Sequence, residues 1–132
     1  MMHVWEFRDA LAGVISVDGL NVVPRAVDGM AELPAAVIGM PKWEPGPTGC
    51  WGSFEIPVAV LVARPGISDE DTVDELDRMW PQVLEQIQDA IDVDQSLGGV
   101  CAAVEIVRAE FGLFVLQGQQ WPAQLIFLTV TG

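Results

Sequence analysis

Carboxylates are the only reactive groups that this chain holds in quantity: 19, against six lysines and arginines and one histidine. For catalysis or metal binding, a carboxylate needs a second group at a defined spacing. The one imidazole, His3, lies close to the first residue, where an exposed side chain is the ordinary outcome. Ser16, Ser53, Ser68 and Ser96 have neither a G-x-S-x-G setting nor a well-placed base, and there is no tyrosine. "GPTGCWG" spaces its glycines like a loop but lacks the strand-to-helix context of a phosphate cradle. "DVDQSLGGVCAA" sets Asp92, Asp94 and Ser96 at the first three positions of a calcium loop. It then puts Leu97 where glycine is required and Ala103 where a bidentate glutamate is required. "SDEDTVDELD" reads as helix capping and a solvated face rather than a magnesium site or a catalytic dyad. The expectation is a protein without catalytic residues, metal or cofactor.

The bulk composition narrows the partner classes. A chain of 132 residues is one domain, residues 1–132, and 51% of it is hydrophobic. So small a domain has much surface to cover with polar groups, so surplus apolar side chains point to burial against another protein surface. A homo-oligomer is a common form of that surface. The formal charge of −13, with Arg8, Arg25, Lys42, Arg64, Arg78 and Arg108 all isolated, argues against gripping nucleic acid. It leaves open a like-charged wall past which DNA slides. Cys50 and Cys101 share no metal-ligand spacing and read as reduced thiols. No apolar run has the length of a membrane helix, and Glu6, Arg8 and Asp9 interrupt the first apolar stretch, so no signal peptide is expected. A soluble protein made in the cytoplasm is the expectation.

Periodicity supplies the elements. Val4, Phe7, Leu11, Val14 and Ile15 recur at helical spacing, and "VDG" at 17–19 supplies a stop. Three prolines in "LNVVPRAVDGMAELPAAVIGMPKW" permit only short extended pieces, around 20–23 and 35–40. "KWEPGPTGCWGS" (42–53) reads as an exposed loop. "FEIPVAVLVAR" reads as a strand with Phe54, Ile56, Val58, Val60 and Val62 on one face. Pro57 within it demands an edge or one-sided pairing. After Ser68 and three acids, Val73, Leu76, Trp80, Val83, Leu84, Ile87 and Ile91 form a helical stripe. Pro81 predicts a kink near 77–81 or a break with restart. "DQSLGG" is a turn, residues 100–116 read as one long strand or a broken pair, and 117–120 turn into the closing strand. The fold class is α+β: a mainly antiparallel sheet, an amphipathic helix on one face, an N-terminal helix and a C-terminal β-hairpin.

The closing strand is apolar on both sides. Trp121, Ala123, Leu125 and Phe127 share one face; Ile126, Leu128 and Val130 share the other. A helix covers only one, so Trp121, Leu125 and Phe127 are the candidates for contact with a neighbouring subunit. Trp43 and Trp51 flank the Pro/Gly loop and are the candidate partner anchors.

The order of elements, with "NVVP", "LPAAVIGMPKW", "FEIPVAVLVAR", the "DELDRM…VLEQI" helix and "VCAAVEIVRAEFG" before a closing hairpin, resembles the tail terminator (tail-completion) proteins of long-tailed bacteriophages. The resemblance spans nearly the whole chain and rests on pattern and order. It implies a virion protein that forms a ring, in six copies, on the head-proximal end of the tail tube, ending tube growth and offering the head's connector a joining surface. It further implies contacts with itself, with the tail tube protein and with a connector or stopper protein, while DNA passes without specific binding. In such a ring Glu55, Glu105 and Glu110 are the channel-lining candidates. A head–tail stopper ring is the alternative reading, and a small ligand-binding domain a more distant one.

Overall fold

The computed structural model describes residues 3–25, 32–47, 52–63, 70–116 and 118–132. Within them the chain forms α1 (Val4–Val14), β1 (Asn21–Val23), β2 (Ala35–Ile38), β3 (Lys42–Glu44), β4 (Ser53–Leu61), α2 (Glu70–Val93), β5 (Ala103–Leu116) and β6 (Gln119–Thr131). The strands make one sheet in the order β1-β2-β4-β6-β5, with β3 also paired to β4. All pairings are antiparallel except β1 with β2. The α+β architecture expected from periodicity is the architecture present.

Both helices lie on one side of the sheet. α1 buries Phe7 and Leu11, and the Phe7 ring meets Phe54 of β4 edge-on, with centroids 5.6 Å apart. α2 buries Leu76, Val83, Ile87 and Ile91, with Trp80 and Leu84 half-buried beside them. Val73, at the helix start, is exposed instead of joining the stripe. The two helices are tied by a reciprocal amide pair: Ser16 N–H donates to Gln86 Oε1 and Gln86 Nε2 donates to the Ser16 carbonyl, both at 2.7 Å. α2 runs unbroken through Pro81, so the expected break is not there. Proline leaves the Asp77 carbonyl without its helical donor. One residue on, the Gln82 side-chain amide donates to the Arg78 carbonyl at 2.8 Å. Ser68 and Asp69, expected to cap this helix, lie outside the described residues.

β2 and β3 both pair with the same edge of β4, so they form one interrupted strand. Ile38 opposes Val58 and Lys42 opposes Glu55, which leaves three residues, 39–41, facing two. This is the geometry of a bulge. Pro57 sits opposite it: Gly39 N–H donates to the Pro57 carbonyl at 2.8 Å, and the absent proline donor faces the interruption. On its other edge Pro57 pairs with Phe127. One-sided pairing at Pro57 was expected from the sequence, whereas residues 42–44, expected in a loop, are a strand. They extend far enough to find free ladder positions on β4.

Arg8 closes the same region. It is 6% exposed, and its guanidinium donates to the carbonyls of Ile38 (3.0 Å) and Pro24 (3.2 Å), where β2 ends and β1 has just ended. Burial, and next the charge of Arg25, lower its pKa. Those carbonyls lie beyond the β1–β2 ladder and would otherwise be buried without donors.

Among the described residues the second face of the sheet has no helix, and yet it is buried. Ala35 and Val37 of β2, Ala59 and Leu61 of β4, and Leu116, Trp121, Ala123 and Leu125 of the hairpin form a separate apolar cluster. The hairpin itself supplies the cover. β4 pairs with β6 only as far as Val60 opposite Gln124, and Phe114 of β5 is opposite Trp121, beyond that level. A flat hairpin would carry Phe114 past the end of β4. Its ring instead lies against Pro57 and Gly39, so the arm of the hairpin arches back over the sheet. Gly112 opposite Ala123 puts two small residues at the start of the arch. Trp121 Nε1 donates to the Leu116 carbonyl at 3.3 Å across the tip.

This packing leaves no room at Gly39. A Cβ there would stand 2.7 Å from Pro57 Cγ and 3.0 Å from Phe114 Cε1. Gly39→Ala is therefore expected to destabilise by about 1–3 kcal/mol. Thermal melting should show Tm lowered by roughly 3–5 °C per kcal/mol. Combining it with Phe114→Ala, which removes the obstructing ring, should cost less than the sum of the two single changes.

Candidate functional site: an acidic sheet face and a neutral arm

The three candidate glutamates come together on one face. Glu55 of β4, Thr129 of β6 and Glu105 of β5 stand in one row across the sheet. The next row is Pro57, Phe127 and Arg108, and the one after holds Ala59, Leu125 and Glu110. A bulge at Ile106/Arg108 shifts the side-chain alternation of β5 by one, which brings Arg108 and Glu110 onto the face that already holds Glu105.

Arg108 is the centre of the group. It meets Glu55 at 3.2 Å and Glu110 at 3.4 Å, and its guanidinium lies 4.0 Å above the Phe127 ring. These contacts are solvent-exposed, so each ion pair contributes up to about 1 kcal/mol, and the cation–π contact a similar amount. Their effect is mainly positional: one cation holds two carboxylates in place, and the face keeps a net negative charge. Glu105 is exposed next to them.

The residues chosen as subunit contacts have other surroundings. Trp121 and Leu125 are buried in the chain's own second cluster, and Phe127 is half-buried under Arg108. The cover expected from a neighbour comes from the arched hairpin. The exposed apolar surface lies on its other side. Phe111, Leu113 and Val115 of β5 are 63%, 56% and 65% exposed, standing opposite Gln124, Pro122 and Gln120 of β6. They form an apolar row on a strand that, among the described residues, has no partner on its outer edge. Trp43, the loop anchor of the sequence reading, is exposed on β3; Trp51 and Cys50 lie outside the described residues.

The arm also has a charge signature that periodicity does not detect. Residues 111–132 carry no charged side chain, in a chain of formal charge −13. Counting charges along the chain, rather than apolar spacing alone, would have marked it.

The open depressions have no comparable organisation. One of about 500 Å3 lies between α1 and α2, lined by Ser16, Val17, Asp18, Glu75, Arg78, Met79 and Gln82. Among the described residues no group of three or more His, Cys, Asp or Glu side chains is placed to hold a metal ion. The Asp94 carboxylate, set by sequence in a calcium-like pattern, accepts the Ser96 hydroxyl at 2.6 Å and the Ser96 and Gly98 amides at 2.9 and 3.0 Å. It closes the turn between α2 and β5, where Leu97, Gly98 and Gly99 all have positive φ. Cys101, half-buried beside this turn, has its pKa raised by burial and by the Asp94 charge.

No protein-family model matches the chain, and no curated protein sequence matches it.

The hydrogen bonds to Asp94, that from the Ser96 hydroxyl first, hold its carboxyl below the ordinary carboxylate pKa. A depressed folded-state pKa stabilises the fold above the unfolded value and is lost as pH falls through the folded value. Asp94→Asn should therefore lower Tm at neutral pH. The gap to wild type should narrow as pH drops below about 4, read by melting curves across that range.

Proposed function

We propose that this chain is a structural virion protein that assembles as a ring, in six copies, on the head-proximal end of a phage tail tube. There it ends tube growth and presents a joining surface to the head. The observation that carries this reading is the apolar row Phe111, Leu113 and Val115, on the edge strand β5 and within the longest uncharged stretch of a strongly acidic protein. Exposed apolar strand surface of this kind fits a permanent protein contact better than a solvent-facing role. The resemblance in element order to tail terminators supplies the assembly.

The acidic face suits the inner wall of such a ring. Glu55, Glu105 and Glu110, with Arg108 among them and Lys42 at the end of the Glu55 row, would give a negative channel that repels phosphate and lets DNA pass. Trp43, exposed on β3, is the candidate contact with tube protein or connector. In this reading the partners are the chain itself, the tail tube protein and a connector or stopper protein, and the place of action is the neck of the virion.

Electron microscopy of tails assembled with and without the protein tests the proposal. Irregular or overlong tubes in its absence, restored to uniform length by adding it, are the expected result. Tubes of normal length without it would overturn the reading.

A further inference from the structure

Taken singly, the open depressions have little organisation, but two of them adjoin. One of about 370 Å3 is lined by Pro81, Leu84, Glu85, Gln88, Asp89 and Ile106. The other, of about 270 Å3, shares Gln88 and Ile106 with it and continues past Ile91, Asp92, Gln95 and Val104. Together they make one groove between α2 and the first half of β5. Its floor is apolar: Leu84 and Ile106 are half-buried, and Ile91 and Val104 are buried. Its helix wall carries Glu85, Asp89 and Asp92, all exposed, at spacings of four and three that put them on one face. Gln88, between them, donates to the Asp92 carboxylate at 2.8 Å. Among the described residues none of these three acids has an ion-pair partner, and no lysine or arginine lines either depression.

We infer that this groove receives an extended, cationic segment of another protein, in which lysines or arginines occupy alternate positions. Charge and apolar surface together select that occupant. Long basic side chains lay their methylene stems on apolar surface and keep the charged head in water. Here Leu84 and Ile106 take the stems, and Glu85, Asp89 and Asp92 take the heads. The spacing agrees. Glu85 and Asp89 are about 6 Å apart along the α2 axis, and alternate side chains of an extended chain are about 6.6 Å apart. From Pro81 to Asp92 the helix rises about 16 Å, the length of roughly five extended residues. The outer edge of β5, unpaired among the described residues, favours extended chain over a helix as the neighbour. A second copy of this chain has no such segment: its six cations stand at 8, 25, 42, 64, 78 and 108, all isolated. Nucleic acid is repelled by the same carboxylates. The contact is independent of the tail reading, and neither needs the other.

The test is fluorescence anisotropy on the full chain in about 0.1 M salt, where charges more than about 10 Å apart are screened. The probe is a labelled, end-capped octapeptide of alternating lysine and threonine. Its control has the same composition with all the lysines in one block. The alternating peptide should bind several-fold tighter, because only it turns every lysine to one side. Glu85→Gln combined with Asp89→Asn should weaken it roughly fivefold to tenfold, the loss of two exposed ion pairs. Asp74→Asn combined with Asp77→Asn removes as much charge from the same helix, at exposed positions outside the groove, and should leave binding within about twofold. Circular dichroism verifies the folding of both variants. An alternating peptide that does not bind at millimolar concentration overturns the inference, and so does equal binding of the two peptides. Equal loss in the two double variants, or loss in neither, also overturns it. So does spermine binding as tightly as the alternating peptide, since a polyamine carries the charges without the extended chain. Tube length, which decides the terminator reading, is a separate measurement.

Discussion

A single sheet that is apolar on both faces, with both described helices on one side, must find a second cover. In this chain the cover is the sheet's own last hairpin. β5 and β6 run past the end of β4 and arch back, bringing Phe114 against Pro57 and Gly39, and closing Leu116 and Trp121 over the β2 and β4 side chains. Most other features accommodate that bend. Gly39 has no side chain where the returning ring lands, and Gly112 and Ala123 are small where the arch begins. The interruption between β2 and β3 leaves the space that Pro57 requires.

The arch also creates the exposed apolar surface of the arm. A strand alternates its side chains, so turning Phe114 and Leu116 inward turns Phe111, Leu113 and Val115 outward. Covering one apolar face thus exposes another, on a strand whose outer edge is unpaired among the described residues. Soluble proteins usually blunt such an edge with charge, and β5 does so only in its first half, through Glu105, Arg108 and Glu110. From Phe111 onward the side chains are uncharged. β5 therefore has a charged half and a neutral half, and the neutral half is where contact with another acidic protein costs least.

Much of this is legible in the sequence. Helical spacing in α1 and α2, alternation in β4 and β6, and the one-sided environment of Pro57 all follow from local patterns of a few residues. The sequence names Glu55, Glu105 and Glu110 as candidates but does not group them; their grouping on one sheet face comes from the strand register. For Glu110 that grouping depends on a bulge at Ile106/Arg108, which periodicity does not reveal. The buried role of Arg8 was not legible either. Its helical position places it beside Phe7 and Leu11, but only the ends of β1 and β2 supply the carbonyls it serves.

By itself, then, the sequence determined the elements, the two-faced apolar character of β6 and the uneven distribution of charge, because each is a property of neighbouring residues. Only the tertiary structure decided which apolar face is covered internally. Trp121 and Leu125 look like surface seeking a partner when the chain is read in line. The arch of the hairpin buries them and exposes the alternate residues of β5 instead. Strand curvature is set by contacts between residues far apart in the chain, such as Phe114 on Pro57 and Gly39, and no local pattern records them.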